Sequence, residues 1–252
     1  MKVLFIHHGR VMGGAPISLR NTLLGLKAYP EISVKVLCVC DAMRTFFKES
    51  AQVEVGSVFL PFQLIGRLMI GYASIFRLRT LKGAVLELLL LPITVFRHLR
   101  QFKKEAPDII HLNSSILLAP AIAARLAGIP LVWHVREMIK GGKWNIRKMF
   151  AGFVIRNLAN RVIAISPAEA AGLGKDTCSK VSVVYNFIDL ERFRTYELPK
   201  DANVVPQWYN DIPADRSIFI SLGGVSFRKG TVELMEAARR SPDGVLFLVA
   251  GP

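Results

Sequence analysis

Two adjacent glycines, Gly13 and Gly14, lie between a predicted strand and a predicted amphipathic helix near the start of the chain. A backbone without side chains lets a ligand approach the main chain, and the free N–H groups at the start of a helix attract anions. The local spacing, G-R-V-M-G-G, does not match the G-x-G-x-x-G pattern of dinucleotide-binding proteins. The glycines therefore predict either a phosphate-binding turn or an ordinary turn, which glycine often forms.

Polar side chains also follow later predicted strands, at the points where those strands end. One group is H-L-N-S-S at residues 111–115, and another is W-H-V-R-E at residues 133–137. A third group, Y-N-F-I-D-L-E-R-F, occupies residues 185–193. Because the carboxyl ends of parallel strands meet at one edge of a sheet, we expect these groups to converge on one cleft. A histidine in one such group is more often structural, whereas the groups together favour a binding site.

The candidate residues of this cleft are those with polar or charged side chains. They are Asn113, Ser114, His134, Arg136, Glu137 and Asn186. Further along the chain, Arg228 and Lys229 lie in a predicted strand-to-helix turn. Cations at such a turn, beside the N–H groups of a helix start, are suited to bind a phosphate.

Short runs rich in β-branched residues alternate with longer segments of helical periodicity. The strands predicted in the first part of the chain are at residues 2–7, 33–39, 108–112, 130–135 and 161–166. The helices predicted there are Ala15–Tyr29, Ile116–Ala127, Trp144–Leu158 and Pro167–Leu173. This strand–helix–strand repetition predicts the α/β class, with a Rossmann-like parallel sheet and helices on both faces.

The alternation stops at residues 194–216, which are rich in proline and polar residues, and then restarts. We therefore predict a first domain at residues 1–193, a linker at 194–216, and the start of a second Rossmann-like domain at 217–252. The restart holds one strand–helix–strand unit of about 35 residues, which is too small for an independent domain. The sequence is thus expected to be part of a longer natural protein.

The chain has 252 residues and a formal net charge of +14. Such a charge favours a polyanionic partner, which could be nucleic acid, an anionic membrane surface or a phosphorylated substrate. The sequence has no RNA-binding signature, zinc-finger spacing or helix-turn-helix pattern. Its basic residues are interspersed with aliphatic residues rather than with aromatic residues on which bases stack. We therefore expect no nucleic-acid partner.

The cysteines and the N-terminal residues indicate in which cellular compartment the protein is expected. The three cysteines are Cys38, Cys40 and Cys178, and their spacing does not resemble a metal site. Cys38 and Cys40 are predicted to alternate on one face of a strand as small buried apolar residues in the reduced state. The apolar run that follows Lys2 is too short for the core of a signal peptide. We expect a cytoplasmic protein.

A basic segment at residues 62–104 contains eight Lys or Arg residues and one acid, Glu87, among leucines, isoleucines and phenylalanines. Its most apolar part, Gly83–Phe96, is shorter than the roughly 20 residues that span a bilayer, and it includes Pro92. Two interpretations stay open. The segment either docks at the inner face of an anionic membrane as a peripheral surface, or it is an ordinary solvated helix face.

The ordered set of motifs resembles the retaining GT-B glycosyltransferases of glycosyltransferase family 4. That family has a glycine pair after strand one, a P-D-x-x-H strand, a G-I-P turn, a strand that ends in histidine, an x-x-A-x-S strand, an N-G-x-D-x-x-x-F turn and a G-R-L-x-x-x-K-G opening of the second domain. The matching residues here are Gly13–Gly14, Pro107–His111, Gly128–Pro130, His134, Ile163–Ser166, Asn186–Phe193 and Gly223–Gly230. The resemblance covers essentially the whole chain.

The resemblance implies a UDP- or GDP-linked sugar donor and a glycan or lipid-linked acceptor, as in the synthesis of cell-surface polysaccharide or glycolipid. By this resemblance, Gly13 and Gly14 contact the donor diphosphate and the acceptor side of the cleft, and His134 lies beside the donor sugar. Lys229 and Arg228 bind the diphosphate and stabilise the leaving group. The reaction retains the configuration of the sugar, with the leaving phosphate assisting deprotonation of the acceptor. Neither a metal nor a further cofactor is implied.

Two positions depart from the family pattern. Gly224 replaces the arginine of the G-R pair, and Phe187 replaces the glycine of the N-G pair. The family's E-x7-E region belongs beyond residue 252, so we expect these 252 residues alone to be inactive or very weak. Two alternatives stay open: a nucleotide-sugar epimerase of the same GT-B shape, and a non-catalytic module that binds the acceptor or a membrane.

Overall fold

The structure is a computed structural model, and the chain forms two compact units, Met1–Ile188 and Asp189–Pro252. The structure describes residues 1–58, 78–137, 139, 146–174, 179–188, 190, 212, 215–222 and 225–250. Most of the predicted linker, the Gly224 departure and Cys178 lie outside these residues. The predicted domain bounds at 193/194 and 216/217 therefore stay a prediction.

The first unit is built on a seven-stranded sheet in which every described pairing is parallel. The strands are β1 (Lys2–His7), β2 (Ser33–Cys38), β3 (Glu54–Ser57), β4 (Ile109–Leu112), β5 (Leu131–Val135), β6 (Arg161–Ala164) and β7 (Val181–Val183). Their order across the sheet is β3-β2-β1-β4-β5-β6-β7. The predicted Rossmann-like α/β fold is confirmed. The chain reverses its direction across the sheet between β1 and β4, and parallel sheets bind ligands beyond the carboxyl ends of the strands at such a point.

Helices cover both faces of this sheet, as predicted. They are α1 (Gly14–Leu26), α2 (Asp41–Ala51), α3 (Leu78–Glu105), α4 (Leu118–Leu126), α5 (Ile146–Leu158) and α6 (Pro167–Gly172). The buried apolar residues of α1 and α2 form one core cluster with Phe5 and Val36. Those of α3, α4 and α5 form a second cluster with residues such as Leu4 and Trp133. Alternate residues of β1 thus face opposite cores, which is why this strand is apolar on both faces.

Local signals in the sequence explain where several elements begin and end. The side chain of Ser166 accepts hydrogen bonds from the backbone N–H groups of Ala168 and Glu169, at 3.2 and 3.5 Å, so it caps α6. Pro167 occupies the first turn, where its missing N–H group needs no partner. After α4, Gly128 adopts a φ of 68°, a conformation that favours glycine.

Some elements differ from the prediction. Helix α2 and strand β3 are absent from the predicted elements. Strand β3 has only four residues, whereas α2 has 11 residues and buries Met43, Phe47 and Ala51 at helical spacing, a pattern that the prediction missed. Cys40 lies not on β2 but at the start of α2, so it is half-buried, whereas Cys38 is buried as expected. The basic segment at 62–104 includes the 28-residue helix α3, which continues through Pro92, while residues 62–77 lie outside the described part of the chain.

The second unit contains the predicted strand–helix–strand repeat. Strands β8 (Ser217–Leu222) and β9 (Val245–Ala250) pair in parallel, and helix α7 (Thr231–Arg239) connects them. A single 3₁₀ turn at Phe227–Lys229 precedes α7, and Gly230 enters the helix with a φ of 76°.

Candidate functional site

Polar side chains from several elements meet at the carboxyl edge of the first sheet. His7 ends β1, Asn113 directly follows β4, and His134 lies near the end of β5. Arg136 follows β5, and Asn186 follows β7. Hydrogen bonds connect these residues across the edge, although bonded partners are separated by up to 106 positions in the chain. The predicted convergence of the polar strand ends is therefore present.

Arg136 is the centre of this network. Its Nε donates to Asn113 Oδ1 at 2.7 Å, and its Nη1 donates to Ser18 Oγ at 2.7 Å and to Asn186 Oδ1 at 3.0 Å. Its Nη2 lies 3.4 Å from His134 Nδ1. One guanidinium thus links α1 to the segments after β4, β5 and β7, because its donors form a planar fork.

The charge of Arg136 is not matched by a hydrogen-bonded carboxylate among the described residues. Its partners are two amides, a hydroxyl and an imidazole, all of them neutral. Burial lowers the pKa of Arg136 to about 10, and the neighbouring Glu137 opposes this shift. The guanidinium therefore keeps its positive charge at neutral pH, in a setting where water only partly screens it.

Three histidines lie around this cation and are neutral. Burial is the main cause that lowers the pKa of His7 to about 3, of His111 to about 3 and of His134 to about 2, and the charge of Arg136 lowers all three further. His111 stacks on Phe5, with ring centroids 4.4 Å apart, and its Nε2 lies 3.3 Å from His134 Nδ1. These rings provide fixed hydrogen-bonding groups rather than additional charge.

The network also sets which ring nitrogens carry protons. A guanidinium can only donate, so His134 Nδ1 accepts and the proton of this neutral ring is on Nε2. Arg136 likewise orients the Asn113 amide, whose nitrogen then donates to His7 Nδ1 at 3.1 Å. The Nε2–H groups of His7 and His134 are consequently donors that have no protein partner within the described chain.

Glu137 points into the same edge but has its own partners. Its two oxygens accept from Ser114 Oγ at 2.6 Å and from the backbone N–H of Ser115 at 2.9 Å. The buried Trp133 side chain donates from Nε1 to the carbonyl of Ser114 at 2.8 Å, and this bond holds the turn after β4. Ser114 and Glu137 therefore form a second pair beside the network of Arg136.

The paired glycines begin α1 at the same edge. A Cβ atom added to Gly13 or Gly14 would meet no atom within 4 Å, and Gly13 has an extended φ of 173°. Neither the packing nor the backbone conformation thus requires glycine at these positions. No side chain caps the start of α1, and its first turn has no acidic residue. Ser18, one turn further on, contacts Arg136, so the open helix start lies next to the network.

The two predicted cations of the second unit lie where a strand leads into a helix. Arg228 and Lys229 belong to the 3₁₀ turn before α7, and the side chain of Lys229 is exposed. The buried Thr231 holds this turn, since its Oγ1 accepts from the backbone N–H of Ser226 at 3.0 Å. Phe187, one of the departures from the family pattern, has an exposed side chain, and its carbonyl accepts from Asn21 Nδ2 at 3.4 Å.

Several residues of the network are absent from the sequence-based set of candidates. Ser18 bonds to both Arg136 and Asn186, and His7 bonds to Asn113. His7 ends a strand as the other candidates do, so the same rule identifies it. Ser18 gives no such signal, because it lies within a helix and reaches the site through the packing of α1. No described group of three or more His, Cys, Asp or Glu residues could hold a metal ion.

The family of this chain follows from a match between its sequence and the profile of a known protein family. The profile described as Glycosyltransferase Family 4 matches residues 12–192. The chain belongs to glycosyltransferase family 4. No curated protein sequence matches it significantly.

Several solved structures have a fold similar to that of this chain. Anabaena HepE in complex with UDP and glucose has 21% sequence identity and a TM-score of 0.68, over 99% of this chain and 60% of that chain. UDP-GlcNAc 2-epimerase from Neisseria meningitidis, bound to UDP-GlcNAc, has 14% identity and a TM-score of 0.58, over 99% and 65%. A glycosyltransferase from Rickettsia africae has 13% identity and a TM-score of 0.55, over 99% and 68%.

At these identities the likeness shows the fold, which is that of the GT-B glycosyltransferases. The chain spans 60% of the length of HepE. The family 4 match covers the paired glycines and the residues of the Arg136 network other than His7.

Proposed function

We propose that this family 4 chain takes part in sugar transfer from a UDP- or GDP-linked donor to a glycan or lipid-linked acceptor, with retention of configuration. The observation that carries the proposal is the open start of α1 beside the Arg136 network. There, two glycines leave space that the protein does not fill, next to a cation with neutral partners. Unfilled space, free helix N–H groups and a positive charge without a hydrogen-bonded carboxylate suit a phosphorylated sugar.

Each predicted site residue has a role in this proposal. Gly13 and Gly14 give the donor diphosphate and the acceptor room to approach the main chain. His134 lies beside the donor sugar, and its Nε2–H is a buried donor without a protein partner in the described part of the chain. Arg136, Asn113 and Asn186 orient the acceptor hydroxyl.

The leaving group is assigned to the second unit. Lys229 and Arg228 bind the diphosphate and stabilise the charge that develops as the bond to the sugar breaks. The leaving phosphate assists deprotonation of the acceptor, so that a carboxylate nucleophile is not needed. Glu137, already held by Ser114 and Ser115, keeps the turn after β4 in place. The scheme uses protein cations and no metal or further cofactor.

The compartment is part of the same proposal. Cys38 and Cys40 are free thiols in the described part of the chain. We place the reaction in the cytoplasm, where reduced thiols are the rule. The product would be a cell-surface polysaccharide or a glycolipid precursor.

The test is calorimetric titration of UDP- and GDP-sugars into the 252-residue chain and into the protein continued to the end of its reading frame. We expect the longer protein to bind one nucleotide class and to transfer its sugar, with retention visible by NMR as an unchanged anomeric configuration. His134→Ala and Lys229→Ala should each lower kcat by about 10²-fold or more, the effect of removing one stabilising donor.

Other outcomes favour other functions. Binding with exchange of configuration at the sugar, but without transfer, would indicate an epimerase. Failure of both proteins to bind any nucleotide sugar would refute the proposal and favour a non-catalytic module. Unchanged kcat in a folded Lys229→Ala protein would remove the role assigned to this residue. Lys27→Ala, which changes an exposed lysine at the end of α1, is the matched control and should keep full activity.

A further inference from the structure

Helix α3 exposes an unusual number of large apolar side chains. Leu89 is 69% exposed and Phe96 is 58% exposed, and the other members of the set are Leu81, Val85, Leu86, Leu88 and Ile93. They recur at intervals of three and four residues, which places them on one side of the helix. The opposite side carries the buried residues, including Ala84, Val95 and Phe102. The apolar stripe therefore faces away from the core over four turns.

The same outer side becomes basic toward the end of the helix. Arg100, Lys103 and Lys104 are exposed there, and Lys82 adds an exposed cation near the start. The acids of α3 do not share this side. Glu87 is buried, and Glu105 lies on the inner side, 2.9 Å from Lys35. Among the described residues of α3, the outer surface thus combines apolar and cationic groups without an acid.

The position of α3 brings this surface toward the candidate site. Glu105, at the end of the helix, pairs with Lys2 and Lys35 at the amino ends of β1 and β2. The 28 residues of α3 extend about 42 Å, whereas the six residues of β1 extend about 20 Å. Because α3 runs antiparallel to the strands, its apolar first half extends toward and past the carboxyl edge, where the Arg136 network lies.

Helix α5, on the same face of the sheet, has a second patch of this type. Met149 and Phe153 are exposed, and together with Phe150 they line a cavity of about 640 Å³. Lys148 and Arg156 lie at the same cavity. Helix α4, which packs against both α3 and α5, is short and mostly buried. The apolar and basic groups of α3 and α5 therefore project from one layer.

We propose that the outer faces of α3 and α5 form an interfacial surface that docks on an anionic lipid bilayer, with α3 lying in the plane of the headgroups. Within the described chain, none of the helices is long and apolar enough to cross a bilayer. The clustered cations match anionic headgroups, while the leucines and phenylalanines enter the acyl boundary. A dimer formed through this surface is disfavoured, because it would place the cations of one copy against those of the other. The proposal stands independently of the sugar-transfer activity.

The test is co-sedimentation of the 252-residue chain with vesicles of phosphatidylcholine alone or with 30% phosphatidylglycerol. We expect binding to the anionic vesicles and little binding to the neutral ones. Arg100→Gln/Lys104→Gln should weaken binding about 30-fold, since each cation near the surface contributes about fivefold. Leu89→Ser/Phe96→Ser should weaken it by at least as much, because both side chains leave the acyl boundary.

Matched controls lie on the opposite face of the sheet. Lys27→Gln/Lys48→Gln removes two exposed cations, and Ile17→Ser/Leu24→Ser removes two exposed apolar side chains of α1. Both should bind like the wild type, and circular dichroism should show all four variants to be folded. Equal binding to neutral and anionic vesicles, equal loss in the control variants, or no binding by the wild type would overturn the proposal. So would a dimer that Leu89→Ser/Phe96→Ser dissociates, since this would make the surface a protein interface.

Discussion

The acid stability of the first unit depends on His98, a residue outside the candidate site. It lies on the inner side of α3, is 1% exposed, and neither of its ring nitrogens has a hydrogen-bond partner within the described chain. Burial lowers the pKa of His98 to about 4, from an ordinary value of 6.5. The folded protein therefore holds this ring neutral over a pH range in which the unfolded chain takes up a proton.

The sign and the size of the effect follow from this difference. A histidine with a lowered folded pKa contributes its full stability above pH 6.5, and that stability is lost as the pH falls toward 4. Between pH 7 and pH 4.5, the unfolded state gains about 2.5 kcal/mol from protonating this one ring. That is a large fraction of the stability of a typical domain, about 5–15 kcal/mol.

His98→Leu should remove this pH dependence. We expect the variant to be at least as stable as the wild type at pH 7, because no described hydrogen bond is lost and an unpartnered polar ring is replaced by an apolar group. Urea unfolding at pH 7, 6, 5 and 4.5 should show the variant losing about 2.5 kcal/mol less than the wild type over this range. His98→Gln should share the flatter profile but be less stable at every pH, since a buried amide stays unpaired.

Parallel pH profiles for the wild type and His98→Leu would refute the reasoning. They would mean that His98 becomes protonated in the folded state near its ordinary pKa, so that water reaches the ring. A loss of more than about 1 kcal/mol for His98→Leu at pH 7 would likewise show that the ring makes a stabilising bond.

Two further predictions concern the site. Gly13→Ala should leave the unfolding free energy within about 0.5 kcal/mol of the wild-type value, because its Cβ meets no atom. The same substitution in the longer protein should weaken nucleotide-sugar binding, measured by calorimetry. Gly152→Ala, whose Cβ would approach the carbonyl oxygen of Leu173 to 2.8 Å, should instead lower the unfolding free energy by about 1–3 kcal/mol, and equal stability of the two variants would contradict this assignment. Arg136→Met should lower the unfolding free energy by about 3 kcal/mol in urea titrations, because Asn113, Ser18 and Asn186 lose their donor. Arg136→Lys should recover only part of this loss, and full recovery would show that the planar fork is not needed.

The charge arrangement at the sheet edge has a functional consequence. Arg136 keeps its charge at neutral pH, while His7, His111 and His134 stay neutral because they are buried next to it. If the rings were protonated, they would repel the guanidinium and lose their acceptor nitrogens. The cluster therefore keeps one fixed cation and fixed, buried N–H donors across the physiological pH range.

The sequence determined the architecture and the edge at which polar groups meet. The alternation of strand and helix periods predicted the parallel sheet, because this signal acts over a few neighbouring residues. The rule that strand ends share an edge found Asn113, His134, Arg136 and Asn186 before any contact was known.

The tertiary structure alone decided how these residues are connected. Ser18 joins Arg136 and Asn186 because α1 packs on the sheet beside β1, a contact over more than 100 residues that no local pattern encodes. The neutrality of the histidines depends on burial, which is a property of the assembled core. The sequence likewise left open whether the apolar residues of α3 belong to a docking surface or to an ordinary helix that buries them. Only the packed fold shows that seven of them face outward, because a helix buries the side that its neighbours cover.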